Sequence, residues 1–232
     1  MPIIRCRNLH YRYPEGDSPL FENLQFEIRS RGFHAIFGHS GTGKTTLARM
    51  IAGELNGFEG NLVIEGAKTV FYTHNMERLP GWADVGELLR TVTPTAARND
   101  LDRLIETFGL QACLHSRFAR LSLGQKNRVN LTRYLVQPFD ILIMDESLAN
   151  VDETTRSIIL TEIKSIYPDR CFLYISHNMI EVSRYCREIV VIRSPQKQPQ
   201  AVCLTGMDAM STDVVGPSTA LEQVLLEIAH AT

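Results

Sequence analysis

Short apolar runs rich in Val, Ile and Phe punctuate the chain at residues 33–37, 139–144, 171–175 and 188–192, and each reads as a buried strand. The segments between them follow a helical period. Residues 45–55 come directly after the first run and residues 123–136 come before the second, while residues 153–166 carry Ile158, Ile159, Glu162, Ile163 and Ile166 at helical intervals. Strands that alternate with helices predict an α/β fold with a mainly parallel sheet covered on both faces.

Two stretches break this rhythm. Residues 1–28 alternate apolar and polar positions at 3–9 and 23–28 around the turn-forming Pro14-Glu15-Gly16-Asp17, which predicts an antiparallel strand layer. Residues 75–138 show helical spacing at 85–92 and 101–108 without a strand between them, so they read as a helical insertion between two core strands. Pro195-Gln196-Lys197-Gln198-Pro199 reads as a loop and residues 219–230 as a closing amphipathic helix. The expected organisation is one domain over 1–232. Residues 1–74 and 139–205 form its core with the β layer, 75–138 the helical part, and 206–232 a helical tail.

The first core strand leads into Gly38-His39-Ser40-Gly41-Thr42-Gly43-Lys44-Thr45, which satisfies G-x-x-x-x-G-K-[ST] with a strand before it and a helix after it. Glycines let the backbone curl so that successive amides point at phosphate oxygens, and the following helix, with Thr46 in its first turn, adds its positive end. Lys44 is then placed to reach the β- and γ-phosphates, and the Thr45 hydroxyl to ligate Mg²⁺. The bland alternative is a glycine-rich turn with an exposed lysine. The four fixed positions would coincide by chance in such a chain about one time in a hundred, so a P-loop NTPase core is the expected fold and a nucleotide the expected ligand.

The run that ends at Met144 delivers Asp145 and Glu146 to the carboxyl end of a core strand, the edge at which open α/β sheets bind ligands. One carboxylate can hold Mg²⁺ while its neighbour orients or deprotonates the attacking water, which hydrolysis requires and simple binding does not. An acidic pair at a strand end is often only a solvated turn; the phosphate loop upstream makes the functional reading the stronger one.

With these elements in place, Leu121-Ser122-Leu123-Gly124-Gln125 resembles the LSGGQ signature of ATP-binding cassette proteins, and Asp145-Glu146 follow it at the family's spacing. The resemblance covers about residues 3–193. It implies that Tyr13 stacks on adenine, that Asp152 occupies the D-loop, and that His177 in Ile175-Ser176-His177-Asn178 is the switch histidine. It also implies that ATP is sandwiched between two cassettes, with Ser122, Gly124 and Gln125 of one facing the phosphate loop of the other. A single chain then holds only half of each site. Leu123 departs from the family's first glycine but leaves Ser122 and Gly124 in place. A serine hydroxyl and a glycine amide at a helix start are suitable donors for a γ-phosphate, although a serine there also serves as an ordinary cap. Tyr13 competes with an edge-strand reading, because Tyr11 lies across Arg12 and alternation buries either one. His177 competes with a structural histidine.

Where the family places a glutamine, six residues before Pro80, this chain carries His74, with Asn75 as the alternative source of an amide. A neutral imidazole accepts one hydrogen bond or binds a metal and loses that capacity on protonation, whereas an amide keeps its oxygen. Activity that falls in acid is therefore expected. Arg78-Leu79-Pro80-Gly81-Trp82 and Arg193-Ser194-Pro195 resemble import cassettes for nitrate-, sulfonate- and taurine-type substrates, with Gly81 interrupting the pattern.

Composition narrows the partners. Twenty-four Lys plus Arg against 26 Asp plus Glu leave a formal net charge of -2, so there is no global field to draw nucleic acid, which is not expected as a partner. No run reaches the roughly 18 apolar residues of a membrane span, nor does the amino terminus carry a signal core. The expected location is cytoplasmic, peripheral at the inner face of the cell membrane. Cys6, Cys113, Cys171, Cys186 and Cys203 lack any C-x-x-C pairing, against both a disulfide framework and a zinc site. The resemblance then implies ATP and Mg²⁺ as cofactors, and three partners: a second cassette in a homodimer, a separate transmembrane permease and a substrate-binding protein. A soluble cassette protein of translation or DNA repair is the first alternative, weakened by the lack of a second cassette or a long coiled coil. A small-molecule kinase is the second, weakened by the signature, D-loop and switch histidine.

Overall fold

The computed structural model describes residues 3–75, 77, 79, 84–211 and 219–232. Arg78, Pro80, Gly81 and Trp82, on which the importer subtype rests together with Leu79 and Arg193-Ser194-Pro195, lie outside the described residues. In chain order the strands are β1 (Ile3–Tyr11), β2 (Phe21–Ile28), β3 (Gly32–Phe37), β4 (Glu59–Glu65), β5 (Val70–His74), β6 (Ile141–Asp145), β7 (Cys171–Ile175), β8 (Glu188–Ile192) and β9 (Ala201–Thr205). The helices are α1 (Lys44–Ile51), α2 (Val85–Val92), α3 (Arg98–Thr107), α4 (Leu123–Leu135), α5 (Glu153–Ile166), α6 (Met179–Tyr185) and α7 (Thr219–Ala231). A six-stranded sheet runs β5-β6-β7-β3-β8-β9, parallel except for β9, and a three-stranded antiparallel sheet runs β2-β1-β4.

Side chains on successive strand residues point to opposite faces, and the main sheet uses both. Phe33, Ala35, Leu142, Met144, Phe172 and Tyr174 pack with α2 to α7 on one side. Ile36, Ile141, Ile143, Leu173, Ile175 and Val190 pack on the other with Leu47, Ala48 and Ile51 of α1 and with the antiparallel sheet. Both faces are covered, which is why these strands read as continuous apolar runs rather than alternating ones. Each fully buried Ile or Leu contributes about 1.5–3 kcal/mol, and α1 is held between two sheets by such contacts. That clamp fixes the helix whose first turn carries Lys44, Thr45 and Thr46.

Several boundaries differ from the sequence reading. The helix expected over 45–55 ends at Ile51, because Gly53 adopts φ 76 and its amide turns back to the Met50 carbonyl. The strand expected from 139 begins at Ile141, because Asp140 is spent on capping a neighbouring turn: Oδ2 accepts the amides of Lys68 at 2.7 Å and Thr69 at 2.9 Å. Strands β4 and β9 were not legible, β4 for lack of a buried face and β9 as a short antiparallel edge strand.

The amide of Lys68, then that of Thr69, holds the Asp140 carboxyl below its ordinary value. Since folding depresses this titration, its stabilisation is complete above the unfolded value of about 3.9 and is lost as pH falls through the folded one. Asp140→Ala should cost about 1 kcal/mol at pH 7. Urea denaturation should show that difference narrowing at pH 3; a pH-independent gap would contradict the assignment.

Candidate functional site

The loop between β3 and α1 can close only because of its glycines. A Cβ on Gly38, at φ 144, would sit 2.3 Å from the Ile192 carbonyl oxygen, and one on Gly43, at φ 94, would sit 2.7 Å from the Phe21 ring. Lys44 is 6% exposed, and its ammonium donates to the carbonyls of Gly38 at 2.9 Å and His39 at 2.8 Å. Burial pulls its pKa down, while the charges of Glu146 and Asp145 oppose that shift. The Thr42 hydroxyl donates to the same His39 carbonyl at 2.9 Å. Gly43 caps α1 without a side-chain bond and no acid occupies the first turn, so the amides and the positive end of the helix face the loop.

Opposite this loop stands the end of β6. Thr45 Oγ1 donates to Asp145 Oδ2 at 2.7 Å, and the Tyr72 hydroxyl donates to the same oxygen at 3.0 Å. The chain then turns through a left-handed conformation at Glu146, φ 52, unusual for a residue with a side chain. This turn separates the roles of the adjacent acids: Asp145 faces Thr45, whereas Glu146 Oε1 lies 2.5 Å from His177 Nε2. Tyr13, Ser40, Gly41, Lys44, Thr46, Asp145 and His177 all line a cavity of about 290 Å³ here. An adjoining cavity of about 470 Å³ is bounded by Thr45, Tyr72, His74, Asn75 and Asp145, and the His74 ring lies 5.6 Å from that of Tyr72. A hydroxyl and a carboxylate at hydrogen-bond distance beside an amide-lined loop are hard oxygen donors that fit Mg²⁺ and a phosphate chain.

The signature residues lie elsewhere. Ser122 Oγ accepts the Gln125 amide at 3.2 Å and Gln125 Oε1 accepts the Ser122 amide at 2.9 Å, a capping box at the start of α4. Asp152 caps α5 through the Thr155 amide at 2.9 Å. Neither phosphate-side cavity is lined by Ser122, Gly124, Gln125 or Asp152. Gly124 abuts the carbonyl of Asn150, which a Cβ would approach to 2.3 Å, and Leu123 stands 48% exposed. Tyr11 closes β1 and is the core residue of the two, whereas Tyr13 lies beyond the end of the strand, 43% exposed, its hydroxyl 2.7 Å from Thr46 Oγ1.

Residues 21–149 match the sequence profile of the family described as ABC transporter. The chain belongs to the ABC transporter family. It is 32% identical to the molybdenum import ATP-binding protein ModC of Saccharophagus degradans, over 77% of this chain and 54% of that one, so it spans about half of that relative's length. It is 30% identical to the energy-coupling factor transporter ATP-binding protein EcfA1 of Oceanobacillus iheyensis, over 82% of this chain and 75% of that one. A solved bacterial Atm1-family ABC exporter with ATP bound shares the fold, with a TM-score of 0.77 at 21% identity over 98% of this chain and 42% of the exporter chain. The profile match holds the phosphate loop, signature and Asp145-Glu146 of this ABC chain but stops before Asp152 and His177.

Polar residues at the ABC site that escaped the sequence reading include Tyr72 beside Asp145, and the half-buried Arg156 with its buried partner Glu181. Each had a local signal. Tyr72 shares a strand face with His74, and Arg156 and Glu181 each follow a motif residue, Asp152 and His177, by four. Burial, then the Asp145 charge, pushes the Tyr72 hydroxyl well above its ordinary pKa and keeps it a donor. Gly124→Ala should force α4 and the Asn150 segment apart and cost about 1–3 kcal/mol, read as a lowered urea midpoint. An unchanged midpoint would contradict the close approach.

Proposed function

We propose that this chain is the ATP-binding and ATP-hydrolysing subunit of an ABC transporter, and that it energises transport through a separate permease by ATP-driven dimerisation. The observation that carries the reading is the 2.7 Å contact of Thr45 with Asp145 at the mouth of the phosphate loop, with the Glu146–His177 pair beside it. A pure binding module has no use for the second carboxylate; a hydrolase does.

In this reading the loop amides from Gly38 to Thr46 hold the phosphates, Lys44 neutralises the β- and γ-oxygens, and Tyr13, exposed above the loop, offers its ring to the base. Thr45 and Asp145 hold Mg²⁺, which when bound offsets the charge that develops on the phosphate oxygens. Glu146 orients and deprotonates the water, and His177 orients Glu146 and the γ-phosphate. His74, or Asn75 beside it, takes the place of the usual glutamine. Ser122, Gly124, Gln125 and Asp152 serve the site of a second copy, since they stand apart from the phosphate loop of their own chain. Residues 75–138 form the helical part that faces the permease, beside 1–74 and 139–205 as the core and 206–232 as the tail. A substrate-binding protein completes the machine. Among the described residues no helix is long and apolar enough to cross a membrane; in this reading the permease is a separate polypeptide and the chain sits peripherally, on its cytoplasmic side.

Lys44→Ala should weaken binding of a fluorescent ATP analogue by more than about tenfold, since two loop-facing charges are left unopposed; an undiminished equilibrium titration contradicts the role. Glu146→Gln keeps the shape and removes the base. It should bind ATP, slow hydrolysis by about 10²–10⁴-fold and accumulate an ATP-dependent dimer in light scattering. A monomer with normal turnover would remove Glu146 from the mechanism.

A further inference from the structure

Beside Glu146 and His177 lies a cavity of about 320 Å³ whose wall includes Arg156, Tyr174, Ser176 and Asn178. The wall is organised by one carboxylate. Glu181, 4% exposed, accepts from Arg156 Nη1 at 2.7 Å and Asn178 Nδ2 at 3.0 Å on Oε1, and from the Tyr174 hydroxyl at 2.9 Å and the Ser176 hydroxyl at 3.3 Å on Oε2. Both chain neighbours of His177 are therefore held by the same acid. The other half of the pair reaches the opposite loop: Arg156 Nη2 donates to the Val151 carbonyl at 2.7 Å, next to Asp152. Between Glu146 and Val151 the backbone forms successive turns, Ala149 amide to Glu146 carbonyl at 3.0 Å and Val151 amide to Leu148 carbonyl at 3.1 Å.

An ion pair with a buried acid and a half-buried guanidinium is a poor way to gain stability, because apolar residues of like volume usually do as well. What this pair does that apolar residues could not is tie two loops together by directional bonds. We propose that Arg156 and Glu181 are positioning residues that clamp residues 176–178 to the D-loop at 151–152, setting His177 against Glu146. Movement of the D-loop, when a second copy docks on it, is then transmitted to the histidine through a planar guanidinium that bonds both sides at once. The inference rests on the reading of Glu146 and His177 as the hydrolytic pair.

The test uses the full chain. Arg156→Met combined with Glu181→Gln removes both charges together, so neither is left buried alone. Arg156→Lys keeps the charge but replaces the two-armed fork with a single ammonium, and it decides the matter alone should the double variant fail to fold. Three quantities are read: affinity for a fluorescent ATP analogue, kcat, and the imidazole NMR signals of His177, identified by their loss in His177→Gln. The clamp predicts affinity within about threefold of wild type, kcat lower by at least about fivefold, and displaced His177 signals. A smaller fall in kcat with unmoved His177 signals overturns it, as does parallel loss of affinity, turnover and cooperative unfolding, the mark of a purely structural pair. A wild-type chain that binds ATP without hydrolysing it strikes the hydrolytic reading instead, and the His177 signals still decide the clamp.

Discussion

The site depends on three parallel strands ending at one level. In the register of β6 with β7 and of β7 with β3, Asp145 pairs with Ile175 and Ile36 pairs with the same Ile175. That alignment brings the phosphate loop, the acidic pair and the residues before His177 to a common edge, although they come from distant parts of the sequence. The slip of one residue in any of these strands would exchange its side chains between two faces packed against different neighbours, so the packing that stabilises the sheet also sets the distance between Thr45 and Asp145. The geometry of the site is here a consequence of register.

Legibility followed how local each feature is. The phosphate loop was readable because its glycines, lysine and threonine are consecutive and sit between a strand and a helix whose patterns are plain. The core strands were readable because helices or strands cover both of their faces. β4 and β9 were not, since their side chains are largely exposed or half-buried and their pairing is decided by β1 and β8 rather than by their own residues. Within the site, Tyr72 and the Arg156–Glu181 pair were missed for the same reason: their meaning lies in partners on other elements. Helical spacing alone could not say that Glu181, one acid among many, is a buried hub.

The signature residues show how one side chain can satisfy two demands. Ser122, Gln125 and Asp152 are spent locally on capping helix starts, and Gly124 is required by the nearby Asn150 carbonyl. These bonds explain why the residues fit within one chain, and they leave the helix start exposed to a second one. In the function proposed for it, each chain carries the halves of two different sites, completed only across a dimer.

Mixing two complementary variants tests that claim most directly. Lys44→Ala disables the phosphate loop and Ser122→Arg blocks the signature, so neither protein alone should hydrolyse ATP. In a mixed dimer the intact loop of one would face the intact signature of the other. The account predicts that mixing the two restores hydrolysis, increasing with total protein concentration; a mixture no more active than the better variant alone would contradict it.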